Sequence, residues 1–147
     1  MIIRPVTPPD IPRLIALERH AATAAHWAEA DYQRLFVAGA PERLALVLEE
    51  EEIVAFIVAR GVRAEWEIEN VAVAGAARRR GLGTRLLGEL LMQLQARGAG
   101  SVFLEVRESN VAARMLYEKW AFEESGRRGA YYRDPPEDAI QYRLTFP

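Results

Sequence analysis

The chain has 147 residues, half of them hydrophobic and 27% charged, with a formal net charge of -2 and no cysteine. This length and composition are typical of one globular domain, and we expect residues 1–147 to form it. The lack of cysteine excludes disulfides, thiol nucleophiles and cysteine zinc sites, and the slightly acidic charge gives no general attraction to nucleic acid or anionic lipid. No uncharged apolar run approaches the roughly 20 residues of a membrane helix, and the N-terminus lacks a signal-peptide core. We expect a cytoplasmic protein without metal, nucleic-acid or membrane partners.

The first third of the chain predicts a strand, two helices and a hairpin. Residues 2–6 read as a strand, and Thr7 followed three residues later by Asp10 is a helix-start pattern. A second, shorter helix is predicted over residues 28–37. Two apolar runs joined by an acidic turn are typical of a hairpin, and they cover residues 44–48 and 53–58.

The rest of the chain alternates strands and helices. A strand at residues 66–73, a helix that begins near Gly81 and a strand at 102–106 stand in the order of a parallel crossover. The pattern predicts an α/β domain with a mixed, mostly antiparallel sheet of about seven strands, a parallel central pair and helices on both faces. The remaining elements are a helix at 110–119, a strand that starts at Phe122 and a last strand at 140–146.

A basic, glycine-containing turn lies directly before the Gly81 helix. Glycines let an anion approach the backbone, and the free N–H groups of a helix's first turn bind phosphate, as arginines do. The segment from Arg78 to Gly83 is therefore a candidate phosphate site, although a solvated basic loop before an ordinary helix has the same composition. It lacks the third glycine of a dinucleotide fingerprint and the Gly-Lys-Ser/Thr of a P-loop.

The spacing Arg78-x-x-Gly81-x-Gly83 resembles the coenzyme A pyrophosphate motif of the GNAT acetyltransferases. The likeness runs from about Trp66 to Tyr142, and together its segments are similar to the RimI-type ribosomal-protein N-terminal acetyltransferases. It is carried by residues 67–73, 104–113, 116–119, 131–132 and 137–140.

The resemblance implies a GNAT fold and an acetyl-CoA-dependent N-acetyltransferase that uses no metal and acts as a monomer or homodimer. The acceptor amine would attack directly in a ternary complex, and the α-amine of a protein N-terminus, such as that of a ribosomal protein, is the favoured acceptor. A small-molecule amine such as an aminoglycoside, polyamine or amino acid is an alternative, as is a non-catalytic acyl-CoA-binding module. Nucleic-acid binding through the arginines is a weaker one, because the chain as a whole is acidic.

The resemblance also implies roles for individual residues. Glu105 would be the general base, directly or through a water, and Tyr117 the acid that faces the coenzyme A sulfur. Tyr131 and Tyr132 would bind the acceptor. The cofactor-binding residues would be Val71, Ala72, Val73, Arg78, Arg79, Arg80, Gly81, Leu82, Gly83, Thr84 and Asn110.

The same residues also have ordinary structural explanations. Glu105 also fits a solvent-facing strand charge, Tyr117 a core aromatic, and the two tyrosines successive strand residues. His20 and His26 are interpreted as surface residues, because no second ligand spacing supports a metal. One departure from the family pattern is Trp120-Ala121-Phe122, where leucine, glycine and phenylalanine are usual, and it predicts a slightly different backbone path after the Tyr117 helix.

Overall fold

The computed structural model describes residues 1–21, 27–39 and 41–147. Short 3-10 turns precede α1 and α3 and follow α2. The helices are α1 (Ile11–Arg19), α2 (Glu29–Gln33), α3 (Leu82–Ala96) and α4 (Val111–Lys119). The strands are β1 (Ile2–Pro5), β2 (Glu42–Glu49), β3 (Ile53–Val62), β4 (Glu65–Val73), β5 (Ser101–Arg107), β6 (Glu123–Tyr132) and β7 (Glu137–Thr145).

The seven strands form one sheet in the order β1-β2-β3-β4-β5-β7-β6. Each neighbouring pair is antiparallel except β4 with β5, which is parallel. The predicted fold class is confirmed, including the parallel central pair. The start of α1 is confirmed as well, since the Thr7 backbone N–H donates to the Asp10 carboxylate at 2.7 Å. The second predicted helix is shorter than expected, because the α-helix ends at Gln33 and a 3-10 turn follows.

Helices cover both faces of the sheet, and each face has its own core. The leucines of α3 pack on one side with Leu46, Ile57 and Leu104 of the strands. The other side packs α1 and α2 against Val47 and Phe56. Because both faces are covered, residues 53–59 of β3 are buried without interruption, which accounts for their continuous apolar run.

A β-bulge in β4 determines where the sheet opens. Ala59 of β3 pairs with Ile68, and the next residue back, Val58, pairs with Asn70, so that Glu69 is the extra residue. A bulge bends its strand and exchanges the faces of the residues beyond it. The parallel register of β4 with β5, as the described residues show it, stops just before this point, at Glu67 and Phe103.

No helix in residues 1–21, 27–39 and 41–147 is long and apolar enough to cross a membrane. His20 is exposed in the turn after α1. The prediction for His26 concerns a residue outside the described part of the chain.

Candidate functional site

The gap between β4 and β5 lies at the centre of the candidate site. Beyond Glu67 the β5-facing edge of β4 has left its partner strand, whereas the other edge continues its ladder with β3 as far as Val73. The Ala74 N–H donates to Val54 of β3 at 2.8 Å, and strand alternation then turns the backbone groups of Val71 and Val73 toward the gap. The same alternation turns those of Ala72 toward β3. The backbone N–H and C=O groups of Val71 and Val73 thus line one wall of the gap.

The basic glycine turn ends the same strand. Arg79 and Gly81 both have left-handed backbone conformations, with φ of 65° and 73°, and Gly81 is the N-cap of α3. The first N–H bonded within the helix is that of Arg85, which donates to the Gly81 carbonyl at 3.1 Å. The N–H groups of Leu82, Gly83 and Thr84 precede it and have no intrahelical partner. Such a turn aims several N–H donors at one point and suits an anion.

Two of the three arginine side chains of this turn, those of Arg78 and Arg80, have different partners. The Arg80 guanidinium donates twice to Glu50 in the β2–β3 turn, at 2.9 and 2.6 Å. Arg78 reaches back to the carbonyl of Val73 at 3.3 Å. Two of the three predicted phosphate ligands are therefore used to hold the turn, and the anion-binding character of the segment comes mainly from its backbone.

Asn110 lies at the N-terminus of α4, on the far side of the gap. Its Oδ1 accepts a hydrogen bond from the Ala113 N–H at 3.1 Å, which caps the helix. The cap uses only the amide oxygen, and the Nδ2 donors of the partly buried side chain stay available to a ligand.

Tyr117 is a buried residue of α4, 4% exposed, on the sheet face that carries α3. The helix ends in a Schellman motif, in which the N–H of Phe122 donates to the Tyr117 carbonyl and that of Ala121 to the Glu118 carbonyl, both at 3.0 Å. The rings of Phe122 and Tyr117 meet edge to face, 5.6 Å apart, which fixes the tyrosine. Burial, with a smaller contribution from Tyr132, raises the pKa of Tyr117 above its ordinary value.

The predicted difference in backbone path after the Tyr117 helix concerns Ala121, which stands where the family usually has glycine. Ala121 has a φ of 67°, the left-handed conformation that the Schellman motif requires and that glycine adopts without strain. The backbone therefore closes this helix as a glycine would allow, with the strain confined to Ala121.

Glu105 lies on the opposite face of the sheet, because Leu104 and Val106 beside it point into the α3 core. Its side chain is 16% exposed, and its Oε1 is 2.9 Å from Nε of Arg128 on β6 and 3.4 Å from Nε2 of Gln141 on β7. Its Oε2 is buried and has no hydrogen-bond partner among the residues that the structure describes. Glu105 thus offers one unbound carboxylate oxygen beside a cavity of about 240 Å³ that Gln141 also lines.

A larger open groove, of about 820 Å³, lies near the β3–β4 turn and shares Phe103 with the smaller cavity. Its main charged pair is already satisfied, since Arg60 donates to Glu67 at 3.0 Å. The smaller cavity is therefore the one next to an unsatisfied ionisable group.

Tyr132 connects the two faces electrostatically. Burial raises the pKa of Tyr132, the charge of Glu105 adds to that increase, and Tyr132 in turn affects Tyr117. The Arg107 guanidinium lies over its ring, 4.4 Å from the centroid. Tyr131 is 53% exposed and meets Tyr132 edge to face at 5.1 Å. The structure thus brings Glu105, Tyr117 and Tyr132 to one region, with Tyr131 at its outer rim.

Sequence reasoning missed the two side chains that contact Glu105. Arg128 and Gln141 reach it only through the register of β5 with β7 and of β7 with β6, and a sequence motif carries no signal for such a register. No group of three or more potential metal ligands occurs in the described portion of the chain.

Comparisons with known proteins found matches over most of the chain. Residues 11–122 match the model of the Acetyltransferase (GNAT) family. The [ribosomal protein bS18]-alanine N-acetyltransferase of Escherichia coli K12 is 36% identical over 135 residues, which are 89% of this chain and 88% of that enzyme. The enzyme of the same name from Haemophilus influenzae is 39% identical over 89 residues, and the match spans 60% of each chain.

A solved structure shows the same fold. The crystal structure of the ribosomal-protein-S18-alanine N-acetyltransferase from Escherichia coli superposes with a TM-score of 0.87 at 33% identity. The superposition covers 98% of this chain and 92% of that one.

Proposed function

Because the chain belongs to the GNAT acetyltransferase family, we propose that it transfers an acetyl group from acetyl-CoA to the α-amine of a protein N-terminus. The likeness to the Escherichia coli enzyme named for ribosomal protein bS18 and alanine favours an N-terminal alanine, such as that of a ribosomal protein, as the acceptor. The observation that carries the proposal is the opening of β4 from β5, with Glu105 on one face of the sheet and Tyr117 on the other.

The residues of the opening fit acetyl-CoA. The diphosphate fits the free N–H groups at the start of α3, where the left-handed Gly81 turns the backbone toward an anion. The pantetheine arm fits the wall formed by Val71 and Val73, opposite the free amide donors of Asn110. Bound there, acetyl-CoA supplies an activated acetyl thioester with a thiolate leaving group.

We assign the general-base role to Glu105. An α-amine with a pKa of 7.7–8.0 costs about 1 kcal/mol to neutralise at pH 7, whereas a lysine amine costs roughly 4.6 kcal/mol. A carboxylate base is therefore better matched to an α-amine. The unbound, buried Oε2 of Glu105 is the atom that takes the proton, directly or through one water in the adjoining cavity.

Tyr117 acts as a hydrogen-bond donor to the leaving sulfur in this proposal. Its raised pKa keeps the phenol protonated at neutral pH, so its O–H can stabilise a developing thiolate. Full proton transfer is less favourable, because the phenol is a weaker acid than a thiol. The Schellman end of α4 and the Phe122 ring hold the phenol in place.

The acceptor enters from the Glu105 face in this proposal, opposite the α3 side on which acetyl-CoA binds. Tyr132 borders this entrance, and the exposed ring of Tyr131 can pack on the first residues of an acceptor peptide. The cytoplasmic location, the oligomeric state and the lack of nucleic-acid or membrane partners stay predictions from the sequence.

Mass spectrometry of peptides incubated with the enzyme and acetyl-CoA tests the acceptor. We expect acetylation of a peptide that begins with free alanine, and none of the same peptide when its α-amine is blocked and a lysine is its only amine. A parallel panel contains an aminoglycoside, a polyamine and free amino acids. Products from that panel alone would replace the protein acceptor with a small molecule.

Calorimetry with acetyl-CoA separates the remaining possibilities. We expect heat of binding and an acetylated product. Binding without product from any acceptor would identify a non-catalytic acyl-CoA-binding module, and absence of binding would overturn the whole proposal.

A further inference from the structure

Glu105 has a cation of the protein itself beside it. The Arg128 Nε lies 2.9 Å from Glu105 Oε1, a distance typical of a charge-assisted hydrogen bond. An acceptor that arrives as an ammonium needs this same carboxylate, because its proton has to leave before it can attack. Arg128 contacts Oε1 and leaves Oε2 open, but it compensates the same negative charge that would attract the acceptor's ammonium group.

The neighbouring arginines Arg127 of β6 and Arg107 of β5 are paired elsewhere. Arg127 binds Asp138 at 2.9 Å and also pairs with Glu108. Arg107 binds Glu137 at 3.3 Å and lies over Tyr132. Among the arginines that the structure describes, only Arg128 forms an ion pair with Glu105.

Arg128 is much more exposed than the carboxylate that it contacts. Its side chain is 55% exposed, against 16% for Glu105, and it projects from β6 at the edge of the sheet. The β6–β7 register is irregular immediately after Arg128. The guanidinium carbon of Arg128 is also 5.4 Å from the centroid of the Tyr131 ring. This ring can therefore bind the guanidinium after it has left Glu105.

Building on the proposed function, we propose that Arg128 is a specificity-determining residue that holds the acceptor's place on Glu105 and is displaced by the acceptor's ammonium group. When the acceptor's ammonium replaces the Arg128 guanidinium, the mostly buried Glu105 carboxylate still has a positive charge beside it. A neutral acceptor would remove Arg128 without replacing its charge, which is unfavourable for a buried carboxylate. Arg128 thereby selects acceptors that are protonated at neutral pH and weakens their binding by competing with them.

Titration of an alanine-initiated acceptor peptide into the enzyme with bound coenzyme A tests this role without turnover. In Arg128→Ala the ammonium meets an unpaired Glu105, and we expect the peptide Kd to fall about fivefold, the upper range for a partly exposed ion pair. Arg128→Lys retains the charge and should keep the Kd near that of wild type. Arg127→Ala removes an adjacent arginine that does not contact Glu105 and should leave the Kd unchanged.

Ethylguanidinium gives a second readout, since it can take the place of the missing side chain. We expect it to inhibit acetylation by Arg128→Ala competitively with the acceptor peptide, and to have no such effect on Arg127→Ala. If Arg128 instead positions Glu105 for catalysis, the same reagent should activate Arg128→Ala.

The outcomes separate this inference from the proposed function. Should wild type acetylate the peptide while Arg128→Ala binds it no more tightly, or while ethylguanidinium activates that variant, only the role of Arg128 is overturned. Failure of wild type to acetylate any amine-terminated peptide overturns both.

Discussion

The two sides of the proposed site are built in different ways. The cofactor side, defined by residues 71–73, the turn 78–84 and Asn110 at the start of α4, offers mainly backbone groups from nearly continuous stretches of chain. The acceptor side, defined by Glu105, Arg128, Tyr132 and Gln141, uses side chains that meet from β5, β6 and β7. One side depends on the path of the backbone and the other on the pairing of charges.

This difference predicts opposite sensitivities. A backbone site should tolerate the loss of a side chain but respond to a residue that strains its conformation. A site of paired charges should tolerate small changes of backbone but respond strongly to the loss of one charge, because its partner is left uncompensated. Substitutions on the acceptor side should therefore change turnover, whereas substitutions on the cofactor side should change the affinity for acetyl-CoA.

The largest expected effect is that of Glu105→Gln on the acceptor side. Removal of a general base lowers kcat by about 10²- to 10⁴-fold, while the Kd for acetyl-CoA should stay near that of wild type. Steady-state kinetics and calorimetry measure the two quantities. Glu108→Gln is the matched control. Glu108 is a half-exposed carboxylate near the end of the same strand, and it pairs with Arg127. A wild-type kcat in Glu105→Gln would remove the base from the mechanism.

Tyr117→Phe comes next, because it removes a single hydrogen bond to a developing negative charge. We expect kcat to fall about 10- to 100-fold, the range for a hydrogen bond to a charged group. The pH profile adds a check. Because burial raises the pKa of Tyr117, its phenol stays protonated, and wild-type kcat should not decline between pH 8 and 10 through its ionisation. A decline in that range that is absent from Tyr117→Phe would contradict the assignment.

Gly81→Val tests the backbone character of the cofactor side. A β-branched residue at a φ of 73° is strained by about 1–2 kcal/mol, and relief of that strain shifts the N–H groups that face the diphosphate. We expect acetyl-CoA binding to weaken about tenfold in calorimetry, with the acceptor KM little changed. Gly75→Ala lies in the 3-10 turn just before the turn 78–84, where the space around the glycine is equally open but φ is not positive, and it should bind acetyl-CoA like wild type. Equal losses in both variants would show that the turn is simply intolerant of side chains.

The same contrast explains what the sequence could predict. Apolar spacing and the capping residue Thr7 predicted the elements, and the glycine turn was recognisable because its geometry is local to Arg78–Gly83. On the acceptor side the family resemblance named Glu105 and Tyr132. The contacts of Arg128 and Gln141 with Glu105 could not be predicted, since they form only after β5, β7 and β6 pair in one register. The partner of Arg80 was missed for the same reason, since Glu50 lies 30 residues away in the chain.

The smallest expected effect concerns the ends of α3 and α4, which close in the same way with different residues. In α3 the left-handed position is Gly98, at a φ of 85°, and in α4 it is Ala121, at 67°. Both ends form the two hydrogen bonds of the Schellman motif at 3.0 Å. Ala121→Gly should therefore relieve strain and stabilise the protein by about 0.5–1 kcal/mol, and Gly98→Ala should destabilise it by about 1 kcal/mol. Thermal unfolding would show Tm shifts of opposite sign, about 2–4 °C each.

An unchanged kcat in Ala121→Gly would show that alanine already holds Tyr117 as well as glycine does, whereas a rise in kcat would mean that the strain at Ala121 displaces the phenol.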